Sequence, residues 1–159
     1  MRQTVRTLLL VIIVAAAAST QLRGQTSAHT PAAPGAEVPW SAQDLIEPST
    51  LAARLSNHQP NLPIILNIGA VEDIKGAYHI GPVNKPENLA QLQSYARSLP
   101  TNTPVIIYCG CCPFAHCPNI RPAYLQLKKL GFTHVAVLNL PVNLKTNWIA
   151  KNYPLTAGK

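Results

Sequence analysis

All four cysteines of this chain lie in one nine-residue segment, residues 109–117, which reads Cys-Gly-Cys-Cys-Pro-Phe-Ala-His-Cys. A thiolate is the reactive form of cysteine, and it attacks sulfur that is bonded to sulfur. Several thiols beside a histidine are also soft ligands that suit Cu(I) or Zn(II). The segment therefore predicts sulfur chemistry, thiol redox chemistry or metal binding.

Two regular patterns flank the cysteine segment and should position it. Residues 105–108 are apolar and mostly β-branched, which predicts a buried strand. Residues 120–130 place apolar side chains at helical spacing. A loop that runs from a strand into a helix N-terminus directs backbone N–H groups at a thiolate or a bound anion. We therefore expect the function of the chain to reside in this loop.

The rest of the domain alternates strands with helices. Strands are predicted at residues 64–68, 78–80, 105–108 and 134–138, and helices at residues 48–57, 86–99, 119–130 and 141–153. This alternation indicates βα units and an α/β fold with a parallel sheet. Ligands of such folds bind beyond the carboxyl ends of the strands, and Cys109 follows one of these ends.

The N-terminal residues are typical of a secretory signal peptide. Two arginines precede an unbroken apolar run at residues 8–18, and small and polar residues follow. We predict a signal peptide at residues 1–24, a Pro- and Ala-rich linker at 25–39 and one domain at 40–159. Cleavage would leave a periplasmic or secreted protein without a stable membrane association. An uncleaved N-terminal anchor is the alternative.

The charge pattern argues against a nucleic-acid partner. The full chain carries a net charge of +7, but three of its 13 Lys and Arg residues precede residue 25. From Gln25 onward, ten basic and six acidic residues leave a net charge of +4. The basic residues are scattered, without a stripe that alternates with aromatic side chains. A mild positive field favours small anionic substrates instead.

The order of these motifs resembles the rhodanese-like domain family, and the similarity spans residues 40–155. The residues that carry it are 64–68, 76–81, 105–109, 127–132, 135–138, 148 and 153–154. The resemblance implies a five-stranded parallel sheet with helices on both faces. It also implies a sulfurtransferase in which Cys109 carries sulfane sulfur as a persulfide. The chain is similar to an exported subgroup that has a Cys-Gly-Cys-Cys-Pro…Cys-Pro-Asn loop.

Three positions depart from the pattern of that family. The usual Asp-x-Arg after the first core strand reads Asn67-Ile68-Gly69, and His-Ile-Pro-Gly reads His79-Ile80-Gly81-Pro82. Arg121 lies 12 positions after Cys109. The active loop is therefore longer than the family pattern and contains three additional cysteines.

Several residues of the loop have a predicted role; the resemblance implies that of Cys109, and the chemistry of the side chains suggests the others. Cys109 is the predicted nucleophile, and loop N–H groups, with Gly110 among them, would bind the sulfur-containing anion. Arg121 would bind an anionic donor such as a thiosulfonate. His116 would act as an acid, a base or a ligand. The predicted partners are a small sulfur-containing anion or a protein thiol, and no cofactor is required.

The other cysteines leave several interpretations open. One of Cys111, Cys112 and Cys117 would receive sulfur from Cys109 or form a disulfide with it. Alternatively, Cys111 or Cys112 would form a disulfide with Cys117 that shapes the loop of a catalytically inactive scaffold for a protein partner.

Metal binding is the remaining alternative for the loop. Its predicted ligands for Cu or Zn are Cys109, Cys111, Cys112, His116 and Cys117. The spacing lacks the paired cysteine knuckles of structural zinc sites.

Four residues outside the cysteines have structural interpretations. His79 is predicted to hold a turn, and Tyr78 and Trp148 to lie in the core. Asn119 is predicted to cap the helix that follows the loop.

Overall fold

The computed structural model describes residues 38–57 and 59–157. The predicted signal peptide and most of the predicted linker lie outside these residues. None of the helices in the described part is long and apolar enough to cross a membrane.

One parallel sheet forms the centre of the described domain. Its five strands are β1 (Leu45–Ile46), β2 (Ile64–Asn67), β3 (Ala77–His79), β4 (Val105–Tyr108) and β5 (Val135–Leu138). The strands lie in the order β1-β5-β4-β2-β3, and every neighbouring pair is parallel. β4 is central, and all four of its residues are buried. The predicted α/β fold with about five parallel strands is confirmed.

Helices cover both faces of this sheet. They are α1 (Pro48–Ser56), α2 (Pro86–Arg97), α3 (Ile120–Lys129) and α4 (Leu144–Asn147), with 3₁₀ turns at Ala42–Asp44, Phe114–His116 and Ile149–Lys151. Pro48 and Pro86 begin α1 and α2 because proline suits a first helical position. α3 ends before Gly131, whose φ of 90° is the left-handed conformation that glycine adopts without strain.

Alternation along β4 divides the core into two layers. Val105 and Ile107 pack on the side of α2 and α3, and Cys109 continues this alternation into the loop. Ile106 and Tyr108 pack on the opposite side, with α1 and α4. Cys109 therefore faces the layer that contains the N-terminus of α3.

The structure differs from the sequence prediction at both ends of the domain. β1 was not predicted because its two residues are too short to show a period. The C-terminal segment is not one helix, because α4 ends at Asn147 and Trp148 leaves helical geometry at φ −128°. Trp148 is fully buried, as predicted, and its indole N–H donates to the carbonyl of Pro154 at 3.0 Å.

The prediction that Tyr78 lies in the core is wrong. Tyr78 is 43% exposed, and its ring stacks on that of Tyr95 with centroids 4.2 Å apart. The reason is the position of β3 at the edge of the sheet, where its side chains are less covered than those of the central strands.

Candidate active site

Cys109 directly follows the central strand at the carboxyl edge of the sheet, and only 1% of its surface is exposed. The end of β2 lies against it, since the Ile68 N–H donates to the carbonyl of Tyr108 at 2.9 Å. A Cβ atom at Gly69 would lie 2.3 Å from the Cys109 carbonyl oxygen and 2.7 Å from its Sγ. Only glycine therefore fits beside Cys109. The family pattern, which has an arginine at this position, gave no indication of the contact.

The four cysteines form a chain of neighbouring free thiols. Sγ of Cys109 lies 3.2 Å from Sγ of Cys111, which in turn lies 3.4 Å from Sγ of Cys112. The sulfur atoms of Cys109, Cys111 and Cys117 all lie within 4.8 Å of one another. Cys109 and Cys117 are buried, whereas Cys111 is exposed and Cys112 is half-buried. The loop thus brings three sulfur atoms together and leaves one of them at the surface.

Hydrogen bonds within the cluster favour a thiolate on Cys109. The Cys117 thiol lowers the pKa of Cys109 most, and burial opposes it. The Cys111 N–H, the Asn119 amide and the Cys111 thiol also lower this pKa, and the sum of these effects brings it to about 5. The pKa of Cys111 is raised, mainly by burial and to a smaller extent by hydrogen bonds to Cys109 and Cys112. The pKa of Cys117 is also raised, mainly by its hydrogen bond to Cys109 and to a smaller extent by burial. One thiolate is therefore held by two neutral thiols.

Asn119 has a role that the sequence did not reveal. It occupies the cap position of α3, but its side chain does not cap the helix. Its Nδ2 donates to Sγ of Cys109 at 3.2 Å, and its Oδ1 accepts from the N–H of Asn84 at 2.9 Å. The cap prediction is wrong because tertiary contacts use both ends of the amide. Asn119 thereby links the reactive sulfur to the segment before α2.

Asn67 organises the neighbouring loop from within the core. Its Oδ1 accepts from the N–H of Gly69 at 3.0 Å, and its Nδ2 donates to the carbonyl of Val71 and to a carboxylate oxygen of Asp73, both at 2.8 Å. The same Asp73 oxygen lies 2.8 Å from Nδ1 of His79. This network holds Gly69 against Cys109, and His79 has the structural role that was predicted.

The remaining predicted site residues surround the cluster. Gly110 has a φ of 76°, and its carbonyl accepts from the N–H of Leu144, which ties the loop to α4. His116 is exposed on the 3₁₀ turn and lies outside the group of three close sulfur atoms. Arg121 is exposed in the first turn of α3.

A cavity of about 250 Å³ opens at the opposite, amino-terminal edge of the sheet. Arg54, Pro104 and His134 are among the residues that line it, and the lining includes none of the cysteines. The candidate site is therefore the cysteine cluster rather than this cavity.

Comparison with known proteins supports the fold assignment. No family model matches the sequence, and no curated protein matches it. The structure is similar to the solution NMR structure of a rhodanese-like domain from Anabaena sp., with a TM-score of 0.51 and 22% sequence identity. The match covers 72% of this chain and 80% of that domain. The chain therefore has a rhodanese-like fold, with a cluster of cysteines where the central strand meets its loop.

Proposed function

We propose that the protein is an exported sulfurtransferase that carries sulfane sulfur as a persulfide on Cys109. The observation that carries the proposal is the set of donors around one sulfur atom at the carboxyl end of the central strand. The Asn119 amide donates to Sγ of Cys109 at 3.2 Å, and the Cys117 thiol and the Cys111 N–H contribute to the lowered pKa of Cys109. Such donors stabilise a thiolate without a neighbouring cation.

With thiosulfate as donor, the first step needs no cofactor. The Cys109 thiolate attacks the outer sulfur of thiosulfate and forms a new S–S bond. The S–S bond of thiosulfate breaks, and its electron pair leaves with sulfite. Cys109 then carries one additional sulfur atom, which bears the negative charge.

We infer that Cys111 receives this sulfur. It is exposed, whereas Cys109 is buried, and their Sγ atoms are 3.2 Å apart. Attack of the Cys111 sulfur on the outer sulfur forms a persulfide on Cys111 and restores the thiolate on Cys109. The thiol proton of Cys111 moves to the transferred sulfur. An external acceptor, such as a protein thiol, then meets the sulfur at the surface.

The test is sulfur uptake from thiosulfate, measured as sulfite release and as the mass of the denatured chain. We expect the reduced protein to gain one sulfur atom and Cys109→Ser to gain none. Cys112→Ser is the matched control and should behave like the unchanged protein. Cys111→Ser should load sulfur on Cys109 but transfer it slowly to an added thiol.

Two results would overturn the proposal. Sulfur uptake by Cys109→Ser would remove Cys109 from the reaction. No uptake by the folded, reduced protein from thiosulfate, a thiosulfonate or a persulfide donor would favour the inactive scaffold.

Export is a separate part of the proposal and rests on the N-terminal pattern alone. We expect the protein from a periplasmic or secreted fraction to begin after residue 18, with its apolar run removed. N-terminal sequencing tests this, and an intact Met1 in a membrane fraction would favour the uncleaved anchor.

A further inference from the structure

We propose that Cys109, Cys111 and Cys117 form a three-coordinate binding site for Cu(I). Their sulfur atoms lie within 4.8 Å of one another. Across residues 38–57 and 59–157, this is the one group of three or more Cys, His, Asp or Glu side chains whose ligand atoms lie that close. The inference goes beyond sulfur transfer, because it requires neither a donor nor a persulfide.

The spacing of the sulfur atoms suits a metal ion at their centre. Thiolate sulfur lies about 2.3 Å from a bound d¹⁰ ion such as Zn²⁺, so three such sulfurs in a plane around a metal are about 4 Å apart. Cys109 and Cys111 are now separated by 3.2 Å and would move apart slightly. Gly110, between them, has a φ of 76° and gives this two-residue step its sharp bend.

An amide donor and a helix N-terminus lie beside the charge that three thiolates would bring. The Asn119 amide donates to the Cys109 sulfur at 3.2 Å. Cys117 lies three residues before the first residue of α3, and the N-terminus of a helix favours a nearby negative charge. Donors of this kind orient metal ligands and tune the affinity of the site.

The ligand set favours Cu(I) over Zn(II). Structural zinc sites use four ligands, and soft thiolates select Cu(I). No fourth side chain joins the three sulfurs in the part of the chain that the structure describes. Cys112 is adjacent to Cys111 but outside the group, and His116 is exposed on the loop.

The surroundings of the site would shield a bound ion on one side and admit it on the other. Cys109 and Cys117 belong to a core cluster that also contains Trp40 and Ile120. Cys111 is exposed, with the Cys112 sulfur 3.4 Å away. A Cu(I) carrier can therefore exchange thiolate ligands with Cys111 at the surface while the buried sulfurs complete the site.

The test is an anaerobic titration of the reduced full chain with Cu(I) against a coloured Cu(I) chelator. We expect one Cu(I) per chain. Cys109→Ser, Cys111→Ser and Cys117→Ser should each weaken binding by about 100-fold or more, since even second-shell changes cost about 10- to 100-fold. Cys112→Ser and His116→Ala are the matched controls and should bind as the unchanged protein does.

X-ray absorption of the copper-loaded chain provides a measurement that does not depend on whether a variant folds. Three sulfur neighbours and no nitrogen are expected at the copper. A histidine nitrogen, fewer than three sulfurs, loss of binding in Cys112→Ser, or no Cu(I) bound would overturn the proposal. Copper binding is measured without a sulfur donor and sulfur uptake without copper, so either can fail while the other holds.

Discussion

Two residues far apart in sequence determine the position of the reactive sulfur. Gly69 leaves room for it, and Asn119 donates a hydrogen bond to it. Neither contact was predicted from the sequence, although Asn119 ends the Cys-Pro-Asn motif of the loop, because each contact depends on how the chain folds. The chemistry of Cys109 is thus a product of packing as much as of its own loop.

Gly69→Ala should abolish sulfur uptake. The new Cβ would lie 2.3 Å from the Cys109 carbonyl oxygen, so β4 or the loop must shift. Overpacking of this kind costs about 1–3 kcal/mol of unfolding free energy. Urea denaturation and sulfur uptake together measure both effects.

Gly76→Ala is the matched control for that variant. Gly76 has a φ of 80°, and a Cβ there would meet nothing within 4 Å. The substitution should cost about 1–2 kcal/mol through backbone strain alone and leave uptake per folded molecule unchanged. Equal loss of uptake in both variants would show that stability, rather than the fit against Cys109, controls activity.

Alkylation of Cys109 should depend on pH with a midpoint near the lowered pKa of about 5. The thiolate is the reactive form, so the rate should stay constant from pH 8 to 6 and fall as the pH decreases through 5. Cys117→Ala removes the thiol that lowers the pKa of Cys109 most, so this substitution should raise the midpoint. Iodoacetamide labelling of the peptide that contains Cys109 gives the profile, and a midpoint near the ordinary thiol value would contradict the prediction.

The same pKa shift links proton binding to stability. The pKa of Cys109 is lower in the folded state than in the unfolded state. The thiolate therefore makes its full contribution to the free energy of unfolding at a pH above the pKa of the unfolded state. It is lost as the pH falls through the folded pKa, below which both states are protonated.

At the scale of elements, the periodic segments were predictable and the short or bent ones were not. β4 was predicted with its observed bounds, and α3 to within one residue at each end. β1 has two residues, and the C-terminal helix bends at Trp148 because burial of the indole overrides helical geometry. The cysteine cluster was predictable because its members lie close together in the sequence. The hydrogen bonds of the Asn67 and Asn119 side chains were not, because they depend on the fold.

Asn119 connects two elements, and its substitution should affect both. Asn119→Ala leaves the N–H of Asn84 without its side-chain acceptor, which costs about 1–3 kcal/mol of unfolding free energy. It also removes a donor to Cys109, so the pKa of that thiol should rise.

Asn119→Asp separates the two roles. The carboxylate still accepts from the N–H of Asn84 but places a negative charge near the Cys109 sulfur. Stability should be largely retained while the midpoint of Cys109 alkylation rises above that of the unchanged protein. Equal stability loss in both variants would show that the contact with Asn84 contributes little.

At the scale of the whole molecule, the cysteine loop connects both faces of the sheet. Cys109 and Cys117 belong to the core beside α2 and α3. The Gly110 carbonyl accepts a hydrogen bond from the N–H of Leu144 in α4, on the other side of the sheet. A ligand bound by the loop should therefore stabilise the folded domain as a unit.

Cu(I) should accordingly raise the thermal unfolding temperature of the reduced chain. A ligand that binds only the folded state at about 100 times its Kd adds about 2.7 kcal/mol. Differential scanning calorimetry should show the increase in Cys112→Ser but not in Cys111→Ser. An increase in both variants would place the bound copper elsewhere.

Burial of Cys109 also has a consequence for oxidative damage. The sulfur with the lowered pKa is 1% exposed, and the exposed sulfur of Cys111 has a raised pKa. Oxidants convert accessible thiolates irreversibly to sulfinic and sulfonic acids. Here the thiolate is buried and the exposed sulfur is a thiol, so oxidation of Cys109 should be slower than that of an exposed thiolate. Slow oxidation would preserve this thiolate after the proposed export to an oxidising compartment.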